Sequence, residues 1–173
     1  RLGKPHCPEC GTRITSQTPE QITDYAYVDA LNEQCLILAP MVRERKGEYR
    51  KELEEWASEG YVRARIDGEV RRLDEDIKLA RYEKHTIELV LDRLIITPQE
   101  KSRFTEGIEK ALLLGNGLAI LHYAKTNSEN DTENQLEQSP QKDHLFSQLM
   151  ACPSCQIALP EMEPRLFSFN APQ

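Results

Sequence analysis

The sequence predicts an α+β domain, with a mixed or antiparallel sheet and about three helices, inserted on a base of cysteine knuckles. Three observations carry that prediction. An Asp67-Gly68 pair sits between two alternating runs, β-branched stretches recur elsewhere, and apolar residues take helical spacing after Thr18, Gly47 and Pro98. No internal repeat is visible.

The first helix starts at Thr18-Pro19-Glu20-Gln21, where Thr18 caps, Pro19 suits the first helical position and Gln21 completes a capping box. It is expected to run to about Ala30. Cys35 to Ala39 reads as a short buried strand, followed by a basic loop from Pro40 to Gly47. A second helix, about Glu48 to Ser58, sets Tyr49, Leu53, Trp56 and Ala57 on one face.

Tyr61–Ile66 and Glu69–Leu73 flank Asp67-Gly68, the pair that a type I′ turn prefers, so they form a hairpin. Alternation puts Val62, Ala64 and Ile66 on one face and Tyr61, Arg63 and Arg65 on the other. A long strand follows from Thr86 to Thr97. Pro98 opens a third helix with Phe104, Ile108, Ala111 and Leu112 on its apolar side. Gly115-Asn116-Gly117 ends it, and Leu118 to Tyr123 is another strand. Residues 125–143 are polar, acidic and almost without apolar anchors, so they read as a flexible loop. The expected units are therefore a base at 1–17, the α+β domain at 18–124, the loop at 125–143, and a return strand with the second knuckle at 144–173.

Composition narrows the function. The 173 residues hold 22 Lys+Arg against 29 Asp+Glu, a net charge of −7, with 39% hydrophobic and 29% charged residues. That is enough apolar material for a core under a charged surface. Apolar stretches such as Leu36 to Val42 fall well short of the roughly 18–20 residues of a membrane helix, so no membrane role is expected. The acidic balance excludes a surface that attracts nucleic acid everywhere. The chain opens at Arg1 with no signal-like segment and stops at Gln173, just after a Phe-rich stretch. We read it as a piece of a larger intracellular protein.

Four of the five cysteines form two knuckles, Cys7-Pro8-Glu9-Cys10 and Cys152-Pro153-Ser154-Cys155. Two residues between thiolates let both sulfurs reach one tetrahedral zinc ion at about 2.3 Å. A redox pair is expected between a strand and a helix, and neither knuckle sits so. A disulfide suits a secreted chain better. The pairing stays open: either one ion joins all four cysteines and pins the chain ends together, or each knuckle finds ligands elsewhere. Cys35 reads as a small buried hydrophobe.

Catalytic patterns are missing. There is no G-x-x-x-x-G-K-[ST], G-x-G-x-x-G, G-x-S-x-G or H-E-x-x-H. His85 and His122 read as core or solvated histidines, and four knuckle cysteines make a closed, structural site. No enzyme is expected in these residues. Two charged features remain. Between Val42 and Lys51 stand five basic residues against two acidic ones, including Arg43, Arg45 and Lys46; they would touch phosphates or an acidic partner. The second is an arginine array on the sheet, made of Arg63, Arg65, Arg71 or Arg72, and Arg93. Strands fix side-chain directions, so these form a pre-set group of forked donors for carboxylates.

Several stretches together resemble one family. They are Leu38-Ala39-Pro40, Arg45-Lys46-Gly47-Glu48, Gly60 to Glu69, Lys84-His85-Thr86-Ile87-Glu88, Val90-Leu91-Asp92-Arg93, Ala151 to Cys155, and Glu163 to Asn170. They look like the insertion in the first ATPase half of the UvrA family, the damage-sensing subunit of bacterial nucleotide excision repair. The resemblance covers nearly the whole chain. It implies a cytoplasmic, dimeric ABC-class ATPase of the SOS and excision-repair response that binds damaged DNA and loads UvrB. It also implies that this insertion docks UvrB through charged residues, with Arg63 and Arg93 at the family's partner-facing arginines. Zinc is structural, and ATP with Mg²⁺ belongs to the parent protein outside these residues. In the family the pair Cys152 and Cys155 joins a second pair beyond Gln173, and the first knuckle can carry His where this chain has Cys10. The rival reading is a zinc-containing nucleic-acid module that sets Arg43, Arg45 and Lys46 on phosphates.

Overall fold

The computed structural model describes residues 6–13, 16–124, 142–149 and 152. Along the chain run α1 (Pro19–Asp29), β1 (Gln34–Lys46), α2 (Arg50–Ser58), β2 (Arg63–Ile66), β3 (Glu69–Arg72), β4 (Lys84–Ile95), a 3₁₀ turn (Pro98–Glu100), α3 (Lys101–Leu114), β5 (Leu118–Ala124) and β6 (Lys142–Ser147). The fold is α+β, and every strand pairing is antiparallel. The sheet order is β3-β2-β4-β1-β5-β6.

Local chemistry explains most elements. Thr18 Oγ1 accepts from the Gln21 amide at 3.3 Å, and Gln21 Oε1 accepts from the Thr18 amide at 3.0 Å. That capping box satisfies two donors that a helix start would otherwise leave orphaned. Asp67 and Gly68 both take positive φ, 51° and 92°, as a type I′ turn requires. On α3, Phe104, Ile108, Ala111 and Leu112 are all buried, the face read from their spacing.

The helical layer covers one face of the sheet. Cys35, Ile37, Ala39, Ile87, Leu89, Leu121 and Tyr123 point into it, and α1 and α3 contribute Ile22, Ala26, Phe104 and Ile108. Gly107 lets α3 come close, because a Cβ there would lie 2.7 Å from Ile37 Cδ1. Leu53 of α2 joins the same cluster, with Tyr49, Trp56 and Ala57 packed against it.

The expected loop from Pro40 to Gly47 is instead the far half of β1. This strand is irregular, with register shifts between Ile37 and Leu38, Pro40 and Val42, and Val42 and Arg45. Glu44 takes a left-handed φ of 51° at the last shift, and such bulges bend a strand and deepen its twist. Pro40 falls at a shift and just past Leu38, the last residue paired with β5, positions where a strand tolerates proline. Arg45 and Lys46 are exposed there, so no apolar alternation marked the strand. The return strand begins at Lys142, ahead of the expected His144. Cys155, residues 125–141 and everything from 153 onward lie outside the described residues.

Candidate functional site: an arginine-bearing sheet face and a cysteine cluster

The sheet's other face carries the charge. Register puts Arg63, Arg65, Glu88, Val90, Arg93, Leu36, Leu38, Ile120, His122 and Asp143 on it together. Leu38, at 0% exposure, and Ile120, at 6%, are buried on this face.

Arg65 shares Arg63's face, as alternation requires, but it turns away from solvent. It is buried, and its fork is fully used. Nε donates to Glu88 Oε2, while Nη1 and Nη2 donate to the two Asp143 oxygens at 3.0 and 2.8 Å. His122 Nδ1 donates to Asp143 Oδ1 at 2.6 Å, so that nitrogen has no lone pair left for Arg65. Burial pulls the Arg65 guanidinium down, but the bonds to Glu88 and Asp143 outweigh it and raise its pKa. Burial likewise pushes the Asp143 carboxyl up, yet His122 and Arg65 bring it down to about 2. The physical reason for the inward turn is Glu88, a carboxylate buried on β4 opposite Arg65, which needs a cation beside it.

Arg63 and Arg93 are held differently. Arg63 opens β2, is half-buried, and has no acidic partner among the described residues. Arg93 is half-buried on β4 and is oriented by a neutral group. With the Gln34 amide turned so that its oxygen faces the guanidinium, that oxygen accepts from Nε at 2.7 Å and Nη2 at 3.2 Å. Neither charge is cancelled by an acid of its own chain among the described residues. Arg72 is paired with Asp74 at 2.7 Å and Arg71 lies 4.0 Å from Glu69, both in solvent.

Of the basic stretch, Arg43 is half-buried, and burial lowers its pKa against the opposing charge of Glu88. Arg45 and Lys46 stand opposite His85 and Lys84. Between this end of β1 and the hairpin turn lies a cleft of about 400 Å³, lined by Glu44, Arg65, Asp67, Lys84, Glu88 and Asp143 among others. Its charged groups are four carboxylates against Arg65 and Lys84.

The cysteines gather from opposite ends of the described chain. Cys7, Cys10 and Cys152 have their Sγ atoms within 4.8 Å of one another, with Cys10 and Cys152 at 3.4 Å. Tetrahedral zinc with sulfur ligands at about 2.3 Å sets its sulfurs about 3.8 Å apart, so the three fit such an ion. Cys7 and Cys152 are buried and Cys10 is exposed. The Gly11 amide donates to Cys7 O at 2.9 Å and closes the first knuckle. Cys35 is buried near the start of β1, and desolvation raises its thiol pKa strongly, as for an inert core thiol.

The family model described as the UvrA interaction domain matches residues 17–125, a span holding every element from α1 to β5. The chain belongs to the UvrA family. It is 41% identical over 174 residues to UvrABC system protein A of Thermus thermophilus, covering 99% of this chain and 17% of that protein. The corresponding protein of Bacillus subtilis is 41% identical over 172 residues, covering 99% and 16%. That of Clostridium tetani is 42% identical over 173 residues, covering 99% and 17%. The chain thus spans about one sixth of the length of the curated UvrA relatives it matches. No helix among its described residues is long and apolar enough to cross a membrane.

Sequence reading missed Glu88 and Asp143, while His122, read as a core or solvated histidine, is buried. Glu88 had a signal, since a carboxylate flanked by Ile87 and Leu89 at the start of a strongly apolar strand needs a buried partner. Asp143 had none, because it borders a polar stretch with no periodicity.

Proposed function

We propose that this chain is the part of a UvrA-type repair protein that docks UvrB, with Arg63 and Arg93 as the partner-facing cations. One observation carries this reading: both guanidiniums sit on one face of the sheet, and among the described residues no acid neutralises either. A carboxylate-bearing partner supplies the missing charge, and covering the pair removes water from it. Losing one member of such a desolvated pair costs about 2–5 kcal/mol. Arg43, Arg45 and Lys46 flank the face and steer an acidic partner toward it. Arg65 supports the surface from inside.

Cys7, Cys10 and Cys152 would hold a structural zinc ion, with Cys155 as the fourth ligand. Zinc supplies only a fixed tetrahedral joint here. The thiolates do the positioning, by clamping both ends of the domain. ATP hydrolysis with Mg²⁺, dimerisation and binding of damaged DNA belong to the longer cytoplasmic parent. A second reading rests on Lys46 and Lys84, which oppose each other across the ladder with no acid bonded to either among the described residues. Like charges directly opposite are unfavourable, and a DNA phosphate would relieve them.

Pull-down of UvrB by the chain tests the docking reading. Arg63→Glu and Arg93→Glu each abolish binding while the circular dichroism spectrum is unchanged; undiminished binding in both variants rejects it. Salt-dependent DNA affinity that disappears in Lys46→Glu would favour the second reading instead.

A further inference from the structure

Arg65 and Asp143 are bonded neighbours in space but far apart in the sheet. β2 is second and β6 sixth in the strand order, with β4, β1 and β5 between them. Four strand spacings would separate them by about 19 Å in a flat sheet, beyond the combined reach of one Arg and one Asp. The sheet must therefore curl until its two sides nearly meet. The three register shifts in β1 supply the bending. Among the described residues no backbone ladder joins β2 or β3 to β6, so side chains hold the curl shut.

The clasp also connects the two docking arginines. Arg63 precedes Arg65 by two residues on the same strand and face. Arg93 lies in the cross-strand row that runs through Leu36 and His122 to Asp143. The Arg65–Asp143 bond thus joins the strand of the first arginine to the row of the second. Within the clasp, the Arg65 side chain is 6% exposed and Asp143 44%. Asp143 is the end that water reaches, and the end that can be altered without opening the interior.

We propose that Asp143 is a positioning residue for docking: by clasping Arg65 it fixes the curl of the sheet and hence the spacing of Arg63 and Arg93. This rests on the docking reading above. The test compares the 173-residue chain with its Asp143→Asn and Asp143→Glu variants, using amide hydrogen exchange and affinity for UvrB. In Asp143→Asn, amides of β2 and β3 exchange about tenfold faster while those of α3 do not change. Affinity falls by about tenfold, as loss of one charge-assisted pair implies, and Asp143→Glu restores both readouts. On an Arg63→Ala background the Asp143→Asn loss shrinks, because the arginine it positions is gone. Unchanged exchange in Asp143→Asn overturns the proposal. So does unchanged affinity, or a full additive loss with Arg63→Ala. A parent chain that fails to bind UvrB removes the docking reading alone, and the exchange comparison then decides for or against the clasp.

Discussion

His85 Nδ1 donates to Asp67 Oδ2 at 2.7 Å while its Nε2 donates to the carbonyl of Ala80 at 2.9 Å. Both partners are acceptors, so the ring carries both protons and is an imidazolium by geometry. Asp67 also accepts from the Thr86 amide at 2.8 Å. One buried side chain thus ties the hairpin turn, the start of β4 and the connection before it.

This arrangement predicts a pH dependence of known sign. The Asp67 bond first, then the Ala80 bond, raise the His85 pKa above its ordinary value, against the opposing effect of burial. Its contribution is complete below the unfolded value of about 6.5 and is lost as pH climbs through the raised folded value. Urea denaturation at steps from about pH 6 to about pH 9 should show stability declining across that window. In His85→Gln the window flattens, and stability at its acid end falls by about 1–3 kcal/mol. An equal decline in the variant would show that another group is responsible.

The buried network predicts an order of costs. Arg65→Leu strands the Glu88 carboxylate, whose side chain is 9% exposed, and uncompensated buried charge is expensive at about 3–5 kcal/mol. Glu88→Gln keeps shape and one acceptor and leaves Arg65 bonded to Asp143, so it costs less, about 1–3 kcal/mol. Equilibrium denaturation near neutral pH ranks the two. The reverse order would mean that Glu88 does not depend on Arg65.

Local rules made much of this fold legible. The capping box at Thr18, the turn at Asp67-Gly68 and the apolar face from Phe104 to Leu112 are each decided by residues a few positions apart. What escaped is non-local. The far half of β1 carries Arg43, Glu44, Arg45 and Lys46, whose extended form comes from pairing with β4 rather than from propensity. Arg65 turns in toward Glu88 across the ladder, but its second partner, Asp143, is brought near only by the curl of the sheet. The cysteine motif was readable from its spacing, but the meeting of Cys7 with Cys152 is set by the path of the whole chain between them.

At the contact of Gly107 with Ile37 two effects oppose each other. Alanine at 107 gains about 1 kcal/mol of helix propensity. Its Cβ would also sit 2.7 Å from a methyl of Ile37, which is fully buried, and overpacking a dense core costs about 1–3 kcal/mol. Gly107→Ala is therefore net destabilising by about 1 kcal/mol. Ile37→Val removes the offending methyl at about 0.5–1.5 kcal/mol by itself, so the double variant is more stable than the two single costs imply. Strict additivity in thermal denaturation would show that the core yields elsewhere.

The cysteine cluster predicts that both ends of the domain are fastened by metal. The proposed ion binds thiolates that no short stretch of chain could bring together, since Cys7 and Cys152 bracket all the secondary structure described. The chain should carry about one equivalent of zinc, and Cys10→Ser should lose it, because three protein sulfurs hold a structural ion far less well than four. Cys35→Ala keeps the zinc, as its thiol is buried away from the cluster. Loop-closure entropy grows slowly with length, so untying the ends by chelation lowers the unfolding midpoint by about 2–8 °C without melting the sheet. Atomic absorption and calorimetry on the same samples check this. Full zinc content in Cys10→Ser would place the ion, if any, on other ligands.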